Sequence, residues 1–286
     1  MDFRKAFAVK PGSRVRLAKI DPSWTAQHES HAKAAREIDR QIERMDRFQY
    51  LLYADARQSL LIVLQGLDAA GKDGVIRHLF TGMNPQGTFV AGFKEPTRVE
   101  LAHDFTWRAH LRAPGRGEIA ICNRSHYEDV LVVRVHGLVP RAVWSRRYAM
   151  INDYEKILGS NGTRVLKFYL HIDPDEQLRR FRERLEDPMR HWKISENDYA
   201  ERELWPQYVA AYEDALGRTS TRQAPWYVIP SNHKWFRNLA ISTIVADTMA
   251  DMGLALPPTQ VDLAQIRRKF HAETRRARRR EKQVGF

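Results

Sequence analysis

The chain has 286 residues, of which 43% are hydrophobic, so it can bury one sizeable core, and this argues against a fibrous or disordered protein. Its single cysteine, Cys122, excludes an internal disulfide framework and a multi-cysteine metal site, and the apolar run around it predicts a core position. The formal net charge of +12 favours polyanionic partners, but residues 267–282 hold +7 of it and leave only +5 for the rest.

The N-terminal region, residues 1–56, is predicted to be a helical extension. It lacks the apolar segment of a signal peptide, and no run in the chain approaches the ~18 apolar residues of a membrane span, so we expect a cytoplasmic protein without a membrane partner. Apolar residues recur at helical spacing across residues 28–54, which predicts an amphipathic helix. These are Ile38, Ile42, Met45, Phe48 and Leu52. The apolar helix favours self-association, so we expect a homo-oligomer.

Five short apolar runs rich in β-branched residues follow and predict strands. They cover residues 60–65, 88–93, 118–123, 164–172 and 226–230. Helical patterns alternate with these runs, which indicates an α/β fold with a mainly parallel sheet and helices on both faces, over a core of residues 57–255. Right-handed crossovers would place the carboxyl ends of the strands, and therefore the ligand, along one edge.

Capping residues mark several of the predicted helix ends. Asp173 and Pro174 suit the start of the helix DEQLRRFRERLED, because aspartate caps the first turn and proline fits its first position. Gly159 and Gly162 are predicted to close the preceding helix. Residues 182–203 break the alternation of strands and helices, since charged residues are concentrated there around Pro188. This segment predicts an exposed lid carried by two helices.

The strongest chemical signal is a glycine-rich loop, residues 66–73 (GLDAAGKD), which directly follows a predicted strand and precedes a helix. This context is typical of a phosphate-binding loop, in which backbone N–H groups and the helix N-terminus face an anion and Lys72 bridges phosphate oxygens. The alternative is a glycine-rich turn that happens to precede a lysine. The correct context on both sides favours the phosphate-binding loop.

The residue after the loop lysine departs from the usual pattern. A serine or threonine normally stands there and binds Mg²⁺ through its hydroxyl, but this chain has Asp73, whose carboxylate would repel phosphate unless a metal or a base intervenes. Asp68, inside the loop, is then the natural Mg²⁺ ligand, since hard cations prefer carboxylate oxygen. A turn-forming aspartate is the other interpretation of Asp68.

A second motif, residues 123–129 (NRSHYED), ends the predicted strand 118–123. In P-loop enzymes such a strand often ends in an acidic residue that positions the metal, and this chain offers Asn123 there with Glu128 and Asp129 a turn later. Arg124 would point at the same phosphates. His126 has no His or Cys partner at ligand spacing, so a structural, hydrogen-bonded histidine is the better interpretation.

The lid region carries basic side chains that could close over the transferred phosphoryl group, because guanidinium groups match phosphate geometry and stabilise its charge. They are Arg179, Arg180, Arg182, Arg184, Arg190 and Lys193. On one helix, Arg180 and Arg184 share a face while Arg182 points elsewhere, so these groups cannot all reach one ligand. A solvated charged face is the alternative.

Together these stretches resemble the polyphosphate kinase 2 family, whose members carry a GLDAAGKDG-type loop, an (N/D)RSxYE/N segment and a DPxxxWK lid. The resemblance runs from about residue 30 to 240 and includes residues 100–110 and 224–238. It implies a P-loop kinase-like three-layer sandwich similar to thymidylate kinase, with a five-stranded sheet and a helical lid. It also implies polyphosphate at the loop and lid, and a nucleotide in the facing acceptor site.

Carried over by position, the resemblance assigns catalytic roles to Asp68, Lys72, Arg124 and Glu128. Polyphosphate is expected at Ala69, Ala70, Gly71, Lys72, Asp73, Arg184 and Lys193. The nucleotide is expected at Lys94, Arg98, Asn123, Arg124 and Glu128. Mg²⁺, with Mn²⁺ as an alternative, is expected at Asp68 and Glu128. Asn123 stands where many members have Asp, which resembles a subgroup that pairs Asn there with a later Glu, here Glu128, and accepts both AMP and ADP.

Three functions follow from these observations. The first is Mg²⁺-dependent, in principle reversible, phosphoryl transfer from inorganic polyphosphate to adenine or guanine nucleotides, which would make ADP from AMP and ATP from ADP. The second is an ATP-dependent nucleotide kinase, which Asp73 and the basic lid disfavour. The third is a polyanion-binding protein that uses a basic helix or tail, residues 256–286; the chain has no signature of specific nucleic-acid recognition.

Overall fold

The structure is a computed structural model that describes the backbone of residues 1–284 and the side chains through Arg280. It divides into two compact units, Met1–Ala255 and a second unit that begins at Leu256. Within the described residues, no helix is long and apolar enough to cross a membrane.

The first unit is built on a five-stranded sheet in the order β2-β3-β1-β4-β5, in which every neighbouring pair is parallel. The strands are β1 (Ser59–Gln65), β2 (Thr88–Gly92), β3 (Ile119–Asn123), β4 (Thr163–His171) and β5 (Trp226–Pro230). Each corresponds to one predicted strand, and the α/β fold is confirmed. β1 lies in the centre, where Leu60 is in register with Ile119 of β3 and Ser59 with Thr163 of β4.

Helices connect the strands and cover both faces of the sheet. In the first unit they are α1 (Phe3–Phe7), α2 (His31–Asp55), α3 (Lys72–Phe80), α4 (Arg98–Leu101), α5 (Trp107–His110), α6 (Val132–Val135), α7 (Arg141–Ser160), α8 (Pro174–Glu186), α9 (Asn197–Glu203), α10 (Trp205–Thr219) and α11 (Lys234–Ala250). Alternate residues of β1 enter different cores: Leu60 and Ile62 pack with α2, α3 and α11, whereas Leu61 and Val63 pack with α7 and α10. Two apolar cores therefore enclose the sheet in three layers.

The predicted amphipathic helix is α2, and its apolar face is buried within the chain. Ile38, Met45 and Leu52 pack in the same core as α11. Arg44 Nη2 donates to Asp247 Oδ1 of α11 at 2.7 Å. The face that suggested self-association is thus occupied, and the homo-oligomer stays a prediction that requires another surface.

One predicted helix end is confirmed, at the start of α8, and another, at the end of α7, is not. Asp173 Oδ1 accepts a 2.7 Å bond from the Glu176 backbone N–H and caps α8, as predicted. The expectation that Gly159 closes the preceding helix is wrong, because α7 continues through Ser160. Gly162, with φ +91°, takes the left-handed turn, and a Cβ there would lie 3.2 Å from the Arg57 carbonyl oxygen.

The second unit contains α12 (Leu263–Val284), a helix rich in arginine. Its apolar residues Leu263, Ile266 and Phe270 follow helical spacing and are all exposed.

Candidate active site

The glycine-rich loop joins β1 to α3 at the carboxyl edge of the sheet. Two residues are left-handed: Ala69, with φ +62°, and Gly71, with φ +104°, which precedes the first turn of α3. Lys72 begins the helix, and its Nζ donates to the Gly66 carbonyl at 2.7 Å. This strand, loop and helix N-terminus form the arrangement that binds phosphate in P-loop proteins.

Side chains from α8 and α11 hold the loop backbone by its carbonyl groups. Arg180 Nη1 donates to the carbonyls of Ala69 and Ala70, both at 2.8 Å. Gln177 Nε2 donates to the Asp68 carbonyl at 3.0 Å, and Arg237 Nη1 to the Ala70 carbonyl at 3.4 Å. Gln177 and Arg237 were not predicted as part of the site.

The segment after β3 brings a cation, Arg124, and a carboxylate, Glu128, to the loop, which contributes a second carboxylate, Asp68. Arg124 has φ +62°, an uncommon conformation for a non-glycine residue that is often found at functional sites. Its Nη2 lies 3.1 Å from Asp68 Oδ1, and its Nη1 lies 3.6 Å from Glu128 Oε2. Lys72, Asp68, Arg124 and Glu128, predicted from separate motifs, therefore lie in one cluster.

Electrostatics within this cluster depend on burial. Burial raises the pKa of Glu128, although the charges of Arg124 and Lys72 and a 3.1 Å hydrogen bond from Gln65 oppose the shift. Burial also lowers the pKa of Lys72, against the attraction of Asp68. Both shifts follow from partial exclusion of water, which strengthens any interaction with a bound anion.

Asp73 is neutralised by the lid rather than left to face phosphate alone. Lys193 Nζ lies 3.0 Å from Asp73 Oδ2, and Asn123 Nδ2 donates to Oδ1 at 3.0 Å. Burial raises the pKa of the Asp73 carboxyl, but the bonds from Lys193 and Asn123 outweigh burial and hold the pKa below its usual value. The Lys193 ammonium thus supplies the positive charge that offsets the Asp73 carboxylate next to the phosphate site.

The remaining lid cations do not converge on the loop. Arg184 Nη1 lies 3.1 Å from Asp198 Oδ2 within the lid. Arg179 pairs with Glu176 and Glu183, and Arg190 with Asp187. Of the six basic residues predicted here, Arg180 bonds the loop and Lys193 bonds the first turn of α3, while Arg182 is exposed.

Two predicted nucleotide contacts, Lys94 and Arg98, lie on the exposed segment after β2 and do not line the cavity beside Glu128. Asp129 points away from the loop, since it pairs with Arg108 at 3.3 Å and Arg147 at 3.1 Å. His126 is buried, with its Nε2 3.3 Å from Glu155 Oε1, which fits a structural histidine.

A cavity of about 260 Å³ opens between the loop, the lid and α10. Its lining includes the charged groups of Asp68, Arg124 and Glu128 together with four aromatic or imidazole rings. The rings belong to His136, Trp205, Tyr208 and Tyr212, and the carboxylates of Asp198 and Glu201 also line the cavity. A cavity that combines charged groups with flat rings can accept a molecule with an anionic part and a planar part.

The fold and the loop define a P-loop phosphotransferase: a parallel sheet whose central strand ends in a lysine-bearing phosphate loop that carries Asp68, with Arg124 and Glu128 following the neighbouring strand. Comparison with protein families sharpens this class. The family model described as Polyphosphate kinase 2 matches residues 27–256. The chain belongs to the polyphosphate kinase 2 family.

Individual relatives agree over nearly the whole chain. An AMP/ADP-polyphosphate phosphotransferase of Meiothermus ruber is 47% identical over 92% of this chain and 98% of its own length. An ADP-polyphosphate phosphotransferase of Rhodopseudomonas palustris is 40% identical over 93% and 98%. The crystal structure of polyphosphate kinase 2 from Arthrobacter aurescens superposes with a TM-score of 0.91 at 38% identity, covering 95% of this chain and 97% of that one.

Proposed function

We propose that this protein transfers the terminal phosphoryl group of inorganic polyphosphate to AMP and to ADP. One observation carries the proposal: in a chain of this family, Asp68, Arg124 and Glu128 line a single cavity beside the phosphate loop, and the same two carboxylates attract the Lys72 ammonium of that loop. The names of the Meiothermus ruber and Rhodopseudomonas palustris relatives support polyphosphate as donor and AMP or ADP as acceptor.

In this mechanism the loop holds the donor. Polyphosphate lies against the backbone of residues 69–73, where Lys72 exchanges its bond to the Gly66 carbonyl for a phosphate oxygen, with Lys193 at the lid side. A terminal oxygen of the nucleotide attacks the end phosphorus, the bridging P–O bond breaks, and the shortened polyphosphate leaves. Arg124 stabilises the charge on the transferred group, so positioning and charge neutralisation supply the catalysis without a covalent intermediate.

The site fits a hard divalent cation, which we propose to be Mg²⁺ with Mn²⁺ as a substitute. Among residues 1–280, no group of three or more His, Cys, Asp or Glu side chains is arranged to hold a metal by itself. Asp68 and Glu128 nevertheless offer two carboxylates at one cavity, and Mg²⁺ commonly binds one or two carboxylates together with substrate phosphates. When bound, the cation would neutralise phosphate charge.

We propose that the acceptor nucleotide binds in the cavity beside Arg124. Its phosphates would face Arg124 and Glu128, and its base would face the rings of Trp205, Tyr208 and Tyr212. Asn123, also predicted as a nucleotide contact, does not line this cavity and donates to Asp73 instead. Lys94 and Arg98 are exposed on the segment after β2 and form no ion pair with the side chains that the structure describes, and we propose that they reach the nucleotide only if that segment closes.

The test is an incubation of the purified protein with Mg²⁺, AMP or ADP, and either polyphosphate or ATP as donor. We expect ADP and ATP to form from polyphosphate with both acceptors. Transfer to AMP from ATP alone, with none from polyphosphate, would instead identify an ATP-dependent nucleotide kinase.

Deletion of residues 264–286 separates the enzyme from a polyanion-binding protein. The phosphate loop lies entirely in the first unit, so turnover with short polyphosphate should persist in the deletion variant. Loss of all polyphosphate binding on deletion, measured by filter retention, would favour the binding protein.

A further inference from the structure

Two guanidinium groups are buried directly against the phosphate loop. Arg180 is 5% exposed and Arg237 is 3% exposed. Arg180 has a carboxylate partner, since its Nε donates to Glu176 Oε1 at 2.6 Å. The acceptors of Arg237 among the described residues are all neutral: Asn238 Oδ1 at 2.8 and 3.1 Å, and the Ala70 carbonyl.

The described residues around Arg237 do not balance its charge. Within the described part of the chain, no carboxylate forms an ion pair with it, and its charged neighbour is the like-charged Arg180. Burial and Arg180 lower the pKa of Arg237 to about 9, and burial and the charge of Arg237 lower the pKa of nearby His78 to about 4. A buried cation without a counter-ion is costly, so the ligand-free protein carries an uncompensated charge here.

Two glycines make the space for this charge. A Cβ built on Gly71 would lie 2.0 Å from Arg237 Nη1, and one on Gly74 would lie 3.0 Å from Nη2. The guanidinium therefore lies against the backbone of the first turn of α3. Its positive charge there adds to that of the N-terminal end of α3 and to that of Lys72. All three favour the binding of an anion in the loop.

We propose that Arg237 is a positioning residue for the phosphate donor: its charge stays uncompensated in the free protein and is compensated when polyphosphate occupies the loop. The proposal rests on polyphosphate as the donor. If so, Arg237 lowers the stability of the free protein and raises its affinity for polyphosphate. An ordinary packing residue would stabilise the free and the polyphosphate-bound protein equally.

The test compares variants that separate charge from hydrogen bonding. Arg237→Gln keeps an N–H donor at the position of the arginine Nε, which donates to Asn238, but has no charge, and Arg237→Lys keeps the charge. For Arg237→Gln we expect a ligand-free melting temperature equal to or above that of the wild type. We also expect less than half of the melting-temperature rise given by hexaphosphate, and a KM for polyphosphate raised about tenfold with the KM for AMP within about twofold. Arg237→Lys should recover most of the hexaphosphate response.

Arg44→Gln is the matched control, because Arg44 is paired with Asp247 and lies away from the loop. It should lower the melting temperature and leave the hexaphosphate response unchanged. The inference is overturned if Arg237→Gln is destabilised like Arg44→Gln and keeps the wild-type response to hexaphosphate. Failure of hexaphosphate to stabilise the wild type would overturn the donor assignment itself, and the wild-type measurement alone reveals that case.

Discussion

Two lysines at the same sheet have opposite surroundings. Lys167, on β4, is fully buried and its three N–H donors are all used: Glu155 Oε2 at 2.6 Å, the Thr219 carbonyl at 2.7 Å and the Tyr127 hydroxyl at 2.9 Å. Within the part of the chain that the structure describes, Lys72 donates to the carbonyls of Gly66 and Leu67, at 2.7 and 3.5 Å, and to no other group. Burial lowers the pKa of both lysines, so the pKa shift alone does not distinguish them.

The two lysines differ in whether a bonded carboxylate balances the charge of the ammonium group. The Lys167 ammonium has a buried carboxylate of its own, and Glu155 also accepts from the Tyr127 hydroxyl at 2.8 Å. This network is closed and has no place for a ligand. Among the described residues, no carboxylate forms a hydrogen bond with Lys72, and its carbonyl partners can be exchanged for phosphate oxygens. A lysine bonded to a buried carboxylate is therefore structural here, whereas a lysine bonded only to carbonyl groups marks the binding site.

The largest expected effect is a loss of stability when the hydrogen-bond network around Lys167 is broken. Lys167→Met leaves the Glu155 carboxylate buried without its cation, so the free energy of unfolding should fall by about 3–5 kcal/mol. Urea denaturation at neutral pH measures this loss. The double variant Lys167→Met/Glu155→Leu should recover part of it. If the double variant is as unstable as the single one, the charge is not the cause, and the contrast with Lys72 weakens.

The same substitution at Lys72 should reduce activity strongly and change the free energy of unfolding little. Lys72→Met should lower kcat with polyphosphate by more than about 100-fold, because it removes a phosphate contact that strengthens in the transition state. Its free energy of unfolding should stay within about 0.5 kcal/mol of the wild type, as no carboxylate loses a partner. Initial rates and urea denaturation check both halves. Near wild-type turnover would remove the loop from the mechanism.

A more modest effect is expected at Glu128, which follows Tyr127 of the closed network in sequence and pairs with Arg124 at the phosphate loop. AMP lacks the second phosphate of ADP, and the Glu128 carboxylate could hold a cation or water in the space that this leaves. Glu128→Asn should therefore depress the AMP reaction more than the ADP reaction. Chromatography of both products gives the ratio. A wild type that uses only one nucleotide, or a variant with an unaltered ratio, would contradict this role and leave Glu128 as a helix-start carboxylate.

The smallest effect is in the pH dependence of stability. Burial raises the pKa of Glu128 above its ordinary value of 4.5, so above that pH the folded state binds more protons than the unfolded state. Glu128 therefore contributes stability at low pH that is lost as the pH rises through the raised value. Glu128→Gln should lose less stability than the wild type between pH 4.5 and neutrality in denaturation series. Parallel curves would show that burial of Glu128 is not coupled to folding.

Most of the fold was predictable because strand and helix patterns alternate strictly, and all five strands begin and end within one residue of the predicted runs. The error at Gly159 has a local cause. Two glycines stand near the end of α7, and composition does not reveal which of them takes the left-handed turn. The approach of the Arg57 carbonyl at Gly162 decides it.

The core of the site was also predictable, since β1 and β3 are neighbours and residues just after parallel strands meet at one edge. The groups that hold the loop were harder to predict. Gln177 and Arg237 reach it from 109 and 167 residues away in sequence. Neither stands in a phosphate-binding motif, so the tertiary packing of α8 and α11 was needed to reveal them.

The lid residue beside Lys193 has a spectroscopic use. Trp192 is 77% exposed, and Lys193 Nζ lies 4.9 Å from the centre of its ring, while the same ammonium bonds Asp73. A cation held over an indole perturbs its emission, and release of Lys193 from Asp73 would change that contact. Trp192 is one of seven tryptophans, so Trp192→Phe provides the difference spectrum that isolates its signal. The chain thus carries an intrinsic fluorophore at the point where the lid meets the phosphate loop, suited to stopped-flow measurement of donor binding without an added label.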